Sequence, residues 1–219
     1  MGRLLNLGGA PSKEAGLKSA LLFSAGLSFC LISTMAPAAG EDSQAAAAST
    51  VTRVCQNCHG PGGNSTSATF PRLNGQQADY LAAQLKNFRD HSRNDPHAMA
   101  YMWGMAAQLT DANIAAISKY LASQKPTAAQ TGGDLAAQGK AIFVNGVKAQ
   151  NIPACAACHG DQGEGNSVMP RIAGQHAAYL KSQLEDFRSL VRANDIMHAN
   201  TKEITDSQIE AVVSFLAND

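Results

Sequence analysis

The chain has 219 residues, a formal net charge of zero and only 5% aromatic residues. That length suits one large domain or two small ones, and the lack of a basic excess argues against a nucleic-acid-binding protein. So few aromatics leave a thin core, a deficit that a buried prosthetic group would relieve.

Residues 1–40 read as a secretory signal. Arg3, Lys13 and Lys18 supply positive charge ahead of and around an apolar run at residues 20–32. That run is too short for a comfortable membrane span. Small residues follow at Ala36, Ala38, Ala39 and Gly40, so cleavage is expected near residues 38–40. Phe29 precedes Cys30, which argues against a lipoprotein signal. Without residues 1–40 the chain holds 14 basic and 16 acidic residues and four cysteines. The excess of acid lies in the half that follows Asp134.

What remains is one unit written twice. Cys55-Gln-Asn-Cys58-His59-Gly60 is repeated as Cys155-Ala-Ala-Cys158-His159-Gly160. Gly63-Asn64-Ser65 is matched with Gly165-Asn166-Ser167, Pro71-Arg72-Leu73 with Pro170-Arg171-Ile172, and Gly75-Gln76 with Gly174-Gln175. Tyr80-Leu81, Gln84-Leu85 and Phe88-Arg89 return as Tyr179-Leu180, Gln183-Leu184 and Phe187-Arg188, and Thr110-Asp111 as Thr205-Asp206. The displacement is 100 at the first cysteines, 99 at the Phe-Arg pairs and 95 at the Thr-Asp pairs, so one short deletion falls in the second copy.

Each unit is mostly helical in pattern. A helix is expected to lead into each motif, the second over residues 134–145. A loop rich in Gly, Asn, Ser and Pro follows. Tyr80, Leu81, Leu85 and Phe88 then line one face of a helix over residues 76–89, repeated at 175–188. Last helices start at Thr110 and Thr205, where Thr205 and Gln208 have capping-box spacing. The predicted fold is all-α: domains at residues 41–124 and 134–219, joined by a short Pro- and Gly-containing linker at 125–133.

Cys-x-x-Cys-His is the spacing of c-type haem attachment. Two thiols one turn apart form thioethers with the two haem vinyl groups, and the following histidine reaches the iron. Zinc or a redox dithiol would leave both histidines unexplained. Two covalently bound haems c are therefore expected, held by Cys55, Cys58, Cys155 and Cys158, with His59 and His159 as axial ligands.

The repeat also selects the opposite ligands. Met102 stands eight residues before Thr110, and Met197 eight before Thr205. Met99, Met105 and Met169 lack such a counterpart and read as packing. His198 is the alternative in the second unit. Pro71 and Pro170 are candidates to offer a carbonyl to the axial histidine. Arg72, Arg171, Tyr80 and Tyr179 are candidates to meet the haem carboxylates, or else to be solvated arginines and core tyrosines.

These strings, in two copies over residues 45–219, resemble cytochrome c4, the dihaem two-domain class I cytochromes c. The resemblance implies facing domains with haem propionates near their junction, and Met102 and Met197 as ligands. It implies a monomeric periplasmic electron carrier, not an enzyme, working between a quinol-oxidising complex and a terminal oxidase or other acceptor. A cytochrome subunit of a dehydrogenase or oxidase is the alternative, and a dihaem peroxidase a more remote one. There are departures. Asn74 stands where a small residue is usual, Trp103 is uncommon beside the ligand, and residues 45–54 lack the Gly-Lys pair present at Gly139-Lys140. A shorter or differently packed first helix is expected there.

Overall fold

The computed structural model describes residues 39–130 and 133–217. The expected signal lies outside them but for its last two residues. Among the described residues no helix is long and apolar enough to cross a membrane.

Helices carry both units. In the first, α1 (Ala39–Thr50) runs through a π-helical turn (Val51–Cys55) into the single turn Gln56–His59. Helices α2 (Ala78–Arg89) and α3 (Asp111–Ala122) follow. In the second, α4 (Gly133–Asn145) precedes a short insert closed by a bridge between Val147 and Ile152, then the single turn Ala156–His159. Helices α5 (Ala177–Arg188), α6 (Asp195–Thr201) and α7 (Asp206–Leu216) complete it.

The terminal helices start where a threonine can satisfy free N–H groups. Thr205 accepts from the Gln208 N–H, while the Gln208 side chain reaches back to accept from the Thr205 N–H. Thr110 and Asn113 form the same reciprocal box. The first box is missed by a search for Glu or Gln at the third position, because asparagine fills it. Behind the caps, Ile114, Ile117 and Leu121 on α3 and Ile209, Val212 and Leu216 on α7 recur on one face and are buried.

The entry helix of the first unit corrects one expectation. It is not shorter, since helical backbone continues from Ala39 to His59. It does pack differently. On α4, a Cβ at Gly139 would overlap the Ala211 carbonyl oxygen, so glycine lets α4 press onto α7. Phe143, one turn on, fills the core against Phe215 with ring centroids 5.5 Å apart. In the first unit the corresponding buried positions are Ala47 on α1 and Val51 at the head of the π-helical turn, and they pack against Ile117 and Leu121. A larger residue in place of glycine and a smaller one in place of phenylalanine leave that pair of helices looser.

One register assignment also changes. The Gly-Asn-Ser strings are not equivalent in space. Gly63 accepts at its carbonyl from the N–H groups of Leu73 and Asn74, and Gly163, not Gly165, does so from Ile172 and Ala173. The deletion falls between Asp95 and Met102. The matching stretch between Asn194 and Met197 is four residues shorter.

The linker is a strap rather than a free tether. A side chain at Gly75 would meet Pro126, and one at Gly174 would overlap the Thr127 carbonyl oxygen. Both glycines have positive φ, so the strap depends on them for space and conformation. Buried Asn74 donates to the Lys125 carbonyl at 2.7 Å and to Thr127 Oγ1 at 3.1 Å. That tether accounts for the large residue at a position where the second unit has Ala173.

Candidate functional site

Each Cys-x-x-Cys-His turn is short and ends on a glycine with positive φ, Gly60 or Gly160, which redirects the chain into the loop below. The loop returns a proline carbonyl to the histidine. His59 Nδ1 lies 2.8 Å from the Pro71 oxygen, and His159 Nδ1 lies 3.0 Å from the Pro170 oxygen. Both rings are buried. Burial lowers both pKa values, against the opposing pull of the carbonyl, and so favours neutral imidazole. A carbonyl can only accept, so Nδ1 carries the proton and Nε2 keeps a lone pair for a metal.

None of the four motif cysteines is paired in a disulfide. Burial pushes the Cys55 and Cys155 thiols up, the reverse of the lowered pKa that a redox dithiol needs. Among the described residues no three His, Cys, Asp or Glu side chains converge to hold a metal ion. The zinc reading, which needs ligands gathered from both motifs, has no site.

In the first unit the methionines sort by exposure, whereas in the second Met169 and Met197 are both half-buried. Met99 and Met105 are 48% and 58% exposed, whereas Met102 is half-buried and packs on the cluster of Phe88, Ala98 and Ala106. Met197 is half-buried in the first turn of α6. The Asn194 side chain caps that turn by accepting from the Met197 N–H at 2.8 Å. His198 Nδ1 lies 3.0 Å from the Phe187 carbonyl oxygen.

Between the two turns lies a junction with approximate two-fold symmetry, where the resemblance implied facing domains but sequence reasoning missed the glutamines and the second pair of arginines that build it. Gln76 accepts from the Arg171 N–H and donates to the Arg171 carbonyl, at 2.7 and 2.8 Å. Gln175 does the same at Arg72, at 2.8 and 2.9 Å. Each amide thus bonds the other domain's backbone as a neighbouring strand would. His176 Nε2 and Gln77 Nε2 extend the pattern to the carbonyls of Ser65 and Glu164, each at 3.0 Å. The Arg72 guanidinium donates to the Gly174 carbonyl, and that of Arg171 to the Thr127 carbonyl.

A second layer is charged. Arg93 donates to Gln84 and across the junction to Gln183, at 2.9 and 3.0 Å, with the Tyr179 hydroxyl 3.5 Å away. Arg192 returns the pattern, donating to Gln183, to Gln84 at 3.0 Å and to the Tyr80 hydroxyl at 3.1 Å. Each guanidinium also lies over a phenylalanine of its own domain, Phe88 or Phe187. Arg93 is paired with fully buried Asp95 at 2.8 Å. Burial would raise the Asp95 pKa, but Arg93 and the Ala98 N–H outweigh it and hold the carboxyl low. Burial would likewise raise Tyr80, but Arg192 and Arg93 hold it low. The signal for this layer was Arg93 and Arg192, repeated outside the haem motif.

The Cytochrome c family matches residues 44–125 and 136–218, once per unit. Cytochrome c-552 of Acidithiobacillus ferridurans is 40% identical over 94% of this chain and 90% of its own length. Cytochrome c4 of Pseudomonas aeruginosa is 37% identical over 83% of this chain and 90% of its own. The solved structure of Acidithiobacillus ferrooxidans cytochrome c4 is 41% identical, with a TM-score of 0.70, and covers 74% of this chain and 96% of that one.

The chain belongs to the cytochrome c4 family. Cytochromes c4 are electron-transfer proteins rather than enzymes, and their two domains bind two covalently attached haems c. The residues of this cytochrome c4 fit that group: two thiols and one neutral, carbonyl-oriented imidazole per domain. A further relative is the thiosulfate dehydrogenase electron acceptor of Thiomonas intermedia, 37% identical over 74% of this chain and 77% of its own length.

Proposed function

We propose that this dihaem electron carrier works in the periplasm, as a monomer, taking electrons from a quinol-oxidising complex and passing them to a terminal oxidase or another acceptor. Cys55 and Cys58 hold one haem and Cys155 and Cys158 the other. His59 with Met102, and His159 with Met197, complete the two irons. The observation that carries this reading is the equivalence of the two sites. Each has a buried histidine whose Nδ1 is taken by a proline carbonyl, and a half-buried methionine at the same register.

The bound haems supply one-electron chemistry, and a His/Met pair favours a high potential. The chain supplies position. Pro71 and Pro170 fix the imidazole planes. Arg72, Arg171, Tyr80 and Tyr179 line the polar junction on which the haem propionates are proposed to meet. The reciprocal glutamine bonds keep the domains at one separation, so exchange between them requires no rearrangement.

The relationship to a thiosulfate dehydrogenase electron acceptor favours a second reading, in which a dehydrogenase is the electron donor. Offering the oxidised protein to quinol-oxidising membranes, and separately to thiosulfate with its dehydrogenase, separates the two. Reduction by membranes in the presence of quinol is expected. Reduction only by the dehydrogenase would replace the quinol-oxidising complex as donor. Tight carbon monoxide binding to the reduced protein would contradict closed irons in either case.

A further inference from the structure

Met102 and Met197 hold equivalent places in the repeat, but the residue after each is anchored differently. After Met102 comes Trp103, the single tryptophan of the chain. Its indole N–H donates to the Arg93 carbonyl at 2.8 Å. After Met197 comes His198, whose Nδ1 lies 3.0 Å from the carbonyl oxygen of Phe187 on α5. Both bonds fasten a methionine turn to backbone. They differ in what the anchoring residue touches.

Arg93 faces the other domain. Its guanidinium donates to Gln183 at 3.0 Å, with the Tyr179 hydroxyl 3.5 Å away, both in the second domain. It also lies over the Phe88 ring, part of the cluster on which Met102 and Trp103 pack. Phe187, by contrast, sits in a regular helix of the same domain as Met197. A further contact holds the indole. The His91 ring lies flat on it, with centroids 3.9 Å and planes 9° apart. His91 has a positive φ of 64°, and its counterpart Leu190 repeats the conformation at 62°. The turn is therefore common to both copies, and the side chain is what differs: imidazole covers the indole in the first, while Leu190 is 50% exposed in the second.

We infer that Trp103 is a positioning residue that holds Met102 for the first haem iron and, through Arg93, makes the placement of that ligand depend on the docked second domain. The inference rests on Met102 being the iron ligand. One chain of contacts runs from Met102 through Trp103 and Arg93 to Gln183. A shift of the second domain at Gln183 moves Arg93, and with it the carbonyl that anchors the indole. Methionine ligation raises haem potential. A looser Met102 therefore lowers the potential of the first haem and lets an outside ligand compete for its iron. The anchor of Met197 lies within its own domain, so the second haem is free of this dependence.

The test titrates the full oxidised dihaem chain with imidazole and reads the weak methionine–iron band together with the two potentials. Trp103→Phe keeps a ring for packing and for the His91 stack but removes the N–H. A ring that only fills space would be replaced without moving either readout. Loss of one positioning hydrogen bond should instead tighten imidazole binding at one haem by about fivefold. One potential should fall while the other holds. Gln183→Ala should move the same haem in the same direction, and the double variant should add little to the larger single effect, as coupling through a shared chain requires. In a Met197→His chain, where Met102 alone gives the band, the effect of Trp103→Phe should persist in full. Unchanged binding in Trp103→Phe, equal shifts at both haems, additive effects or an inert Gln183→Ala would overturn the inference. A native band of two-methionine strength leaves the ligand reading standing through any of those failures; its absence would overturn that reading and this inference with it.

Discussion

The two domains share one plan and differ in how each is stabilised. The second is held by contact: α4 lies against α7 through Gly139, and Phe143 fills the space beyond. The first, with Ala47 and Val51 at those positions, has less apolar material in its helix pair. It has instead the buried Arg93–Asp95 pair, where the second domain has Arg192 near a neutral Asn194. The acids are exchanged between copies: Asn87 and Asp95 in the first stand opposite Asp186 and Asn194 in the second. A repeat therefore preserves the site while letting its support drift, provided the junction keeps both halves in register.

Breaking the buried ion pair should have the largest effect. Arg93→Met leaves Asp95 buried and unpaired, and should lower unfolding free energy by about 3–5 kcal/mol in denaturant titrations. Arg192→Met strands no paired carboxylate and should cost clearly less. Equal losses would show that the asymmetry between the arginines has no energetic meaning. Next is helix contact. Gly139→Ala must force α4 away from the Ala211 carbonyl and should cost about 1–3 kcal/mol. Ala47→Gly at the matching place should cost about 1 kcal/mol, through helix propensity. Differential thermal unfolding of the two variants orders them.

The smallest effect concerns Asp186. Burial raises its pKa first, and the Asp95 charge raises it further, against the pull of His97 and both arginines. A raised carboxyl binds its proton more tightly in the folded state, so stability is lost as pH rises from the unfolded value of about 4 through the folded one. Asp186→Asn should therefore stabilise at neutral pH, by about 1 kcal/mol or less given partial exposure, and the gain should vanish as pH falls toward about 4. A gain that persists in acid would point to packing rather than charge.

Much of this was legible in the residues. The Cys-x-x-Cys-His strings, the helix faces and the Thr205 box follow from spacing alone. The resemblance implied a junction, but its bonds were not legible, because Gln76, Gln84 and Arg93 look like ordinary polar residues until the partner domain lies against them. Nor was the linker's path, since Gly75 and Gly174 stand in the sequence only as matched residues of the repeat, and their role as clearances for a strap needs the linker in place. The Gly-Asn-Ser match misled because Gly163 and Gly165 are both φ-positive, and only the carbonyl of Gly163, like that of Gly63, accepts the two returning N–H groups that define the register.

The central claim is that both domains hold the same closed haem site. A spectroelectrochemical titration of the purified full-length protein tests it most directly. We expect two haems per chain, with the weak methionine–iron band at the red end of the oxidised spectrum at an intensity matching two such ligands. One haem per chain, or a band at half strength with carbon monoxide binding to the reduced protein, would contradict it.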